Sequence, residues 1–239
     1  MRACLEALDS PQEATSGAAF FDLDRTLLAG SSALALAGQF YQRGLLSRRE
    51  LVQAAAWQLV FTRYGASPSQ AERMAGRGLE RLRGLRPVEL RELVASSLTP
   101  ALRPRLYRDA LELLEQHRAQ GERLYLVSAT IEEVVSTLAS ELGFDGALGT
   151  TAEVVDGRYT GRALFNCLGR DKLAAVLGLA ERRGISLPRS TAYSDSATDI
   201  PLLKAVGNPV AVNPDRWLRA VARRRGWPLL EFRRPSPRA

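Results

Sequence analysis

An α/β fold is predicted: a parallel sheet with helices on both faces, interrupted by a small all-helical insert. Three features of the sequence point to it. From about residue 103, short apolar runs alternate with segments of helical periodicity, the order that builds a parallel sheet. One further strand-like run, AAFFDLD, lies apart from these near the N-terminus. Between the two, residues 31–99 carry helix formers and helix start and stop signals but no strand pattern.

Each element has its own reason. AAFFDLD is apolar and bounded by polar residues, as a short buried strand is. In the insert, Ser47 and Glu50 form a capping-box pattern opening LVQAAAWQLVFTRYG. Gly44, Gly65 and Gly84 read as helix stops, and Pro87 opens PVELRELVASSL. RPRLYRDALELLEQHRAQG is a helix ending at Gly121, where the imidazole of His117 suits the helix C-terminus. RLYLVSA is a strand ending at Ser128, and Thr130 with Glu133 forms a second capping pattern for TIEEVVSTLASELG. AEVVDGRYTG is a hairpin turning at Asp156 and Gly157. GRDKLAAVLGLAERRG is a helix with Lys172 in its first turn. STAYSDSATDIPLLKAVG gives strand, loop and helix; PVAVNP is the last strand and DRWLRAVARRRG the last helix. The expected division is a core of residues 17–30 and 100–232, a helical insert of 31–99, and flexible termini of 1–16 and 233–239.

Composition excludes several classes of function. No apolar run approaches the roughly 18 residues of a membrane span, and MRACLEALDSPQEATSG lacks the apolar stretch of a signal peptide. Two cysteines, Cys4 and Cys167, cannot build a disulfide framework or a cysteine metal cluster, and Cys167 reads as a small buried hydrophobe. A cytoplasmic protein without membrane association is expected. His117 is the only histidine, which excludes histidine-based zinc sites and Ser-His-Asp catalysis. The net charge of +7 has two sources: ten arginines against five glutamates in residues 31–99, and eight arginines against Asp215 and Glu231 in residues 215–239. Such patches attract polyanions, but solvated helix faces account for them equally well. Aromatic residues do not interleave the C-terminal arginines; Trp217, Trp227 and Phe232 read as packing residues, so no nucleic acid is expected as partner.

The strand AAFFDLD ends in two carboxylates, Asp22 and Asp24, with Thr26 two residues on. In extended chain, residues i and i+2 face the same side. Like charges held that close require a proton or a cation between them. In parallel sheets, sites form outside the carboxyl ends of the strands, and Asp22, Asp24, Ser128 and Asp195 all fall at such ends.

Taken in order, DLDRT, VSAT, GRDKL and YSDSATD resemble the four motifs of the haloacid dehalogenase-like phosphatases. The helical insert, TAEVVDGRYTG and GRDKL resemble the phosphoserine phosphatase-like branch, subfamily IB, in particular. The resemblance covers residues 17 to 215 and implies a Rossmann-like core with the insert as a small cap. It implies Mg²⁺ held by the side chains of Asp22 and Asp195 and the backbone carbonyl of Asp24. Asp22 would be the nucleophile and Asp24 the general acid and base. Thr26, Ser128 and Lys172 would bind phosphate, and Asp199 would orient Lys172 or the metal's water.

The expected activity is therefore Mg²⁺-dependent hydrolysis of a small phosphorylated metabolite through an aspartyl-phosphate. There are departures from the family pattern. Arg25 fills the variable position of the first motif, and Ser194 stands where many relatives have glycine. Phosphoserine-specific relatives carry a glutamate shortly after the first motif, whereas here no acid follows Asp24 until Glu50. An ammonium closed into a pocket without a carboxylate is costly, which counts against phosphoserine. Cap arginines such as Arg43, Arg77 and Arg81 are candidates to meet a second anionic group. Phosphoserine hydrolysis is the first alternative, and non-catalytic polyanion binding on the same fold is the second.

Overall fold

The computed structural model describes residues 16–44, 46–49, 51–53, 56, 73, 76–97 and 101–233. Seven strands form one sheet in the order β4-β3-β2-β1-β5-β6-β7. They are β1 (Ala18–Phe21), β2 (Arg123–Ile131), β3 (Gly146–Val155), β4 (Arg158–Phe165), β5 (Thr191–Ser194), β6 (Asn208–Val212) and β7 (Leu229–Leu230). All neighbouring pairs are parallel except β3 and β4, an antiparallel hairpin that turns at Asp156 and Gly157, both with positive φ. The helices include α1 (Ser32–Gln42), α2 (Pro87–Ser97), α3 (Arg108–Ala119), α4 (Glu132–Glu141), α5 (Gly169–Arg183), α6 (Ile200–Ala205) and α7 (Arg216–Arg225).

The central strand shows why helices cover both faces. Its four residues are all buried apolar groups that alternate between two cores. Ala19 and Phe21 join Ala110 and Leu114 of α3 and Val134, Val135 and Leu138 of α4. Ala18 and Phe20 join Val176 and Leu179 of α5, Leu202 and Leu203 of α6, and Leu218 and Ala222 of α7. Leu90, Leu93 and Val94 of α2 belong to the first core, so this helix shares a continuous interior with the sheet.

Several expectations are corrected. PVAVNP is not the last strand: Leu229 and Leu230 pair with Ala211 and Val212 to add β7. Strand β2 runs three residues beyond Ser128, through an irregular register between Val127 and Ile131, and α4 starts only at Glu132. Thr130 therefore does not cap α4; its hydroxyl meets the Ser32 hydroxyl at 3.1 Å. Trp217 is 57% exposed with the Arg216 guanidinium over its ring, so it is not a packing residue. Trp227 and Phe232 are partly buried against the two cores. His117 is held by more than a helix terminus, since its ring joins Glu122 to the Tyr193 hydroxyl. Glu50, Gly65 and most of LVQAAAWQLVFTRYG lie outside the described residues, as do residues 1–15 and 234–239. The inner ends of the two termini are tied down: Ser16 accepts from the Ser186 N–H, and Arg233 donates to Asp109.

Candidate active site

The strand order reverses direction at β1, between β2 and β5, the place where a ligand crevice opens beyond the carboxyl ends. The Asp22 N–H makes the last sheet bond, to the Tyr193 carbonyl at 3.0 Å. The chain then closes a tight loop, with the N–H groups of Leu27 and Leu28 both donating to the Leu23 carbonyl. Leu23, Leu27 and Leu28 are fully buried, so the loop is pinned from below by the core. Arg25 sits within it at φ 63°, a conformation that costs an ordinary side chain about 1–2 kcal/mol.

Lys172 reaches into this loop from the first turn of α5. Its side chain is 2% exposed, with Nζ 2.7 Å from Asp22 Oδ1 and 2.6 Å from Asp199 Oδ2. Burial alone would lower its pKa, but the carboxylates of Asp199 and Asp22 outweigh burial and raise it, so the ammonium stays charged. The Ser194 hydroxyl also donates to Asp199 Oδ2, at 2.7 Å, and accepts from the Ser196 N–H. Ser194 thus holds Asp199 in register with Lys172. Sequence reasoning treated it only as a departure in a turn, because its partner lies across a loop.

The second carboxylate pair is arranged differently. Asp195 Oδ2 lies 3.2 Å from Arg25 Nε, and the Asp195 carbonyl accepts from the Asp215 N–H. Asp24 Oδ1 accepts from the Ser32 N–H at 2.8 Å, at the start of α1. From Ser32 a chain of hydrogen bonds continues through the Thr130 hydroxyl to Ser128, whose Oγ accepts from the Thr130 N–H. Asp22, Asp24, Ser128, Lys172, Asp195 and Asp199 thus lie at this rim. Thr26 is fully buried on the same loop, and its hydroxyl has no hydrogen-bond partner among the described residues.

The electrostatics bear on which ion the rim suits. Burial pushes Asp22 upward, with Asp199 and Asp24 adding to the shift and Lys172 opposing it. Burial likewise raises Asp24 against its bond from Ser32, and raises Asp195 well above the usual range against Arg25. Four carboxyl groups share the rim with two cations, Lys172 and Arg25, so their full ionisation leaves an excess of negative charge for a cation to offset. Asp199 Oδ1 is also buried without a hydrogen-bond partner among the described residues. This hard-oxygen set with surplus negative charge fits a divalent cation such as Mg²⁺. Among the described residues no three acidic, cysteine or histidine side chains converge as a ready-made cage. Two carboxylates and a carbonyl, as the resemblance implies, do not require one.

The remaining candidates fall outside the cluster. Arg77 and Arg81 are exposed, and Arg43 donates to the Ser96 hydroxyl on the surface. Cys167 is fully buried, and burial pushes its thiol up to about 12, so it serves as a small apolar residue.

Residues 19–204 match the haloacid dehalogenase-like hydrolase family, to which this chain belongs. It is 43% identical to an "inhibition of morphological differentiation protein" of Streptomyces azureus, over 91% of this chain and 79% of that one. It is 39% identical to the phosphoserine phosphatase SerB1 of Mycobacterium tuberculosis, over 91% and 71%. A solved phosphoserine phosphatase, a phospho-aspartyl intermediate analogue, superposes with a TM-score of 0.62 at 18% identity, over 92% of this chain and 94% of that one. The protein is a phosphatase of the phosphoserine phosphatase-like type. No helix among the described residues is long and apolar enough to cross a membrane.

Proposed function

We propose that the protein hydrolyses a small phosphomonoester through an aspartyl-phosphate on Asp22, with Mg²⁺ held by the side chains of Asp22 and Asp195 and the Asp24 carbonyl. The observation that carries this reading is Lys172, buried between Asp22 and Asp199. An ammonium carries three N–H donors, so with two given to Asp22 and Asp199 one remains for a phosphate oxygen. When bound, magnesium would supply positive charge against the phosphate oxygens. Residues 31–99 serve as the cap that excludes water, over a core of residues 17–30 and 100–232.

Lys172 occupies Asp22 Oδ1, which leaves Oδ2 to attack phosphorus. As the new Asp22–phosphorus bond forms, the ester oxygen leaves and takes a proton from Asp24, whose raised pKa suits a general acid. Water then attacks the phosphoryl group, gives its proton to Asp24, and releases phosphate and the free Asp22 carboxylate. Thr26, whose hydroxyl has no hydrogen-bond partner among the described residues, and Ser128 hold phosphate oxygens, and Asp199 keeps Lys172 aimed.

Purified protein with Mg²⁺, assayed against a broad panel of phosphometabolites for released phosphate, tests this reading. Asp22→Asn should fold normally and lose activity by roughly 10⁴-fold or more. Retained turnover would remove Asp22 from the nucleophile role. Likeness to SerB1 favours phosphoserine as the substrate, whereas the lack of an acid between Asp24 and Glu50 opposes it. Turnover of phosphoserine far above the rest of the panel would decide for the first.

A further inference from the structure

We propose that Arg25 weakens and thereby sets the affinity of the site for its divalent ion, by pairing with the Asp195 carboxylate that would help hold the ion. This rests on the metal reading above and adds to it a residue outside the ligand set.

Three observations carry it. First, Arg25 Nε lies 3.2 Å from Asp195 Oδ2, and the two side chains are only 17% and 7% exposed, so solvent screens the pair little. Second, the guanidinium is held in place without help from Asp195. Its Nη2 donates to the Asn213 carbonyl at 3.2 Å, and the Asn213 side-chain amide donates back to the Arg25 carbonyl at 3.0 Å. Asn213 is in turn fixed by the segment after β6, donating its N–H to Leu230 and accepting from the Phe232 N–H. Third, both members of this clasp have positive φ, 63° for Arg25 and 43° for Asn213. Glycine would fill position 25 without backbone strain, so a strained arginine there points to work done by its side chain.

One charge then has two opposed effects. Beside Asp195, it offsets the cost of burying that carboxylate and so supports the fold when no divalent ion is bound. Against a divalent cation, it repels the ion and competes for the same carboxylate. A variant without the charge should lose the first effect and gain the second together. A residue that merely packs the loop would lose stability with no gain in ion affinity.

Arg25→Gln keeps a long side chain that can still donate to Asn213 but removes the charge. Calorimetric titration of purified protein with magnesium chloride should show at least about tenfold tighter binding by Arg25→Gln than by the unaltered protein. Its melting temperature in a chelator should fall, and the rise on adding Mg²⁺ should exceed that of the unaltered protein. Arg25→Lys, which restores a cation, should return the affinity toward the original. If Arg25→Gln does not fold, Arg25→Gly, suited to φ 63°, takes its place with the same expectation. Equal or weaker Mg²⁺ binding by the neutral variant, alongside measurable binding by the unaltered protein, overturns the role of Arg25 and leaves the metal site standing. No binding by either protein overturns the metal reading and this inference with it.

Discussion

The protein carries its charges in two contrasting regions. At the carboxyl-end rim of the sheet, Asp22, Asp24, Asp195 and Asp199 face Arg25 and Lys172, all buried or nearly so. On α7, Arg216, Arg223, Arg224 and Arg225 stand exposed, and Arg219 pairs with the exposed Glu231. Composition draws the eye to the second region, one of the two arginine-rich sources of the net charge of +7. The candidate active site lies in the first. A surface ion pair contributes about 0–1 kcal/mol, because water screens it and side-chain freedom opposes it. Removing one partner from a buried pair costs roughly 3–5 kcal/mol, because the other charge is left without water or partner.

Lys172→Ala should therefore have the largest effect. It strips the cation from between Asp22 and Asp199 and leaves two facing buried carboxylates. Without divalent ion, chemical denaturation should show a loss of roughly 3–5 kcal/mol. Mg²⁺ should restore part of the stability, by binding the folded state, but little of the phosphatase activity. A stability loss below about 1 kcal/mol would place Lys172 among the screened surface charges after all.

Ser194→Ala comes next. It leaves the charges at the rim intact and removes only the hydroxyl that donates to Asp199 Oδ2 and accepts from the Ser196 N–H. A hydrogen bond to a charged group is worth about 1.5–3 kcal/mol, so turnover should fall by about tenfold or more with the melting temperature also reduced. Unchanged turnover would mean that Lys172 alone keeps Asp199 in place.

What the sequence made legible follows from the same contrast. Asp22, Asp24, Lys172 and Asp195 could be read because each stands at a strand end or helix start whose local pattern is strong. The β3–β4 hairpin could be read from Asp156 and Gly157, whose positive φ that dipeptide tolerates. The missed features are the ones that depend on side-chain contacts no helix or strand periodicity displays, some a few residues apart and some far along the chain. Ser194 gains its meaning from Asp199 and Lys172, Arg25 from Asp195 and Asn213, and His117 from Glu122 and Tyr193. Strand β7 was missed because two residues are too short to show periodicity. Thr130 has the right spacing for a cap, yet the bulged end of β2 delays α4 and turns that hydroxyl toward Ser32.

On α7 the expectation is a null result. Arg223→Ser with Arg224→Ser, both on exposed positions, should leave phosphate release unchanged and stability within about 0.5 kcal/mol. A clear fall in turnover at low salt that vanishes at high salt would show that this face steers an anionic substrate to the rim.

Glu132 lies between the two extremes and sharpens the contrast most finely. It opens α4, partly buried, where Gly149 packs so tightly that an added Cβ would lie 2.7 Å from the Glu132 Cα. Burial raises its pKa above the usual glutamate value, the Gly149 N–H opposes that shift, and Glu133 adds to it. The sign follows from linkage. At low pH the carboxyl is protonated in both folded and unfolded chains and the shift has no effect. As pH rises through the usual glutamate range, the unfolded chain releases the proton more readily, so the folded state loses stability. Glu132→Gln, which is neutral throughout, should therefore raise the melting temperature at pH 7 by about 2 °C and leave it nearly unchanged at pH 4. A lower melting temperature at pH 7 would show that the ionised carboxylate, through its bond from the Gly149 N–H, stabilises the fold more than burial opposes it.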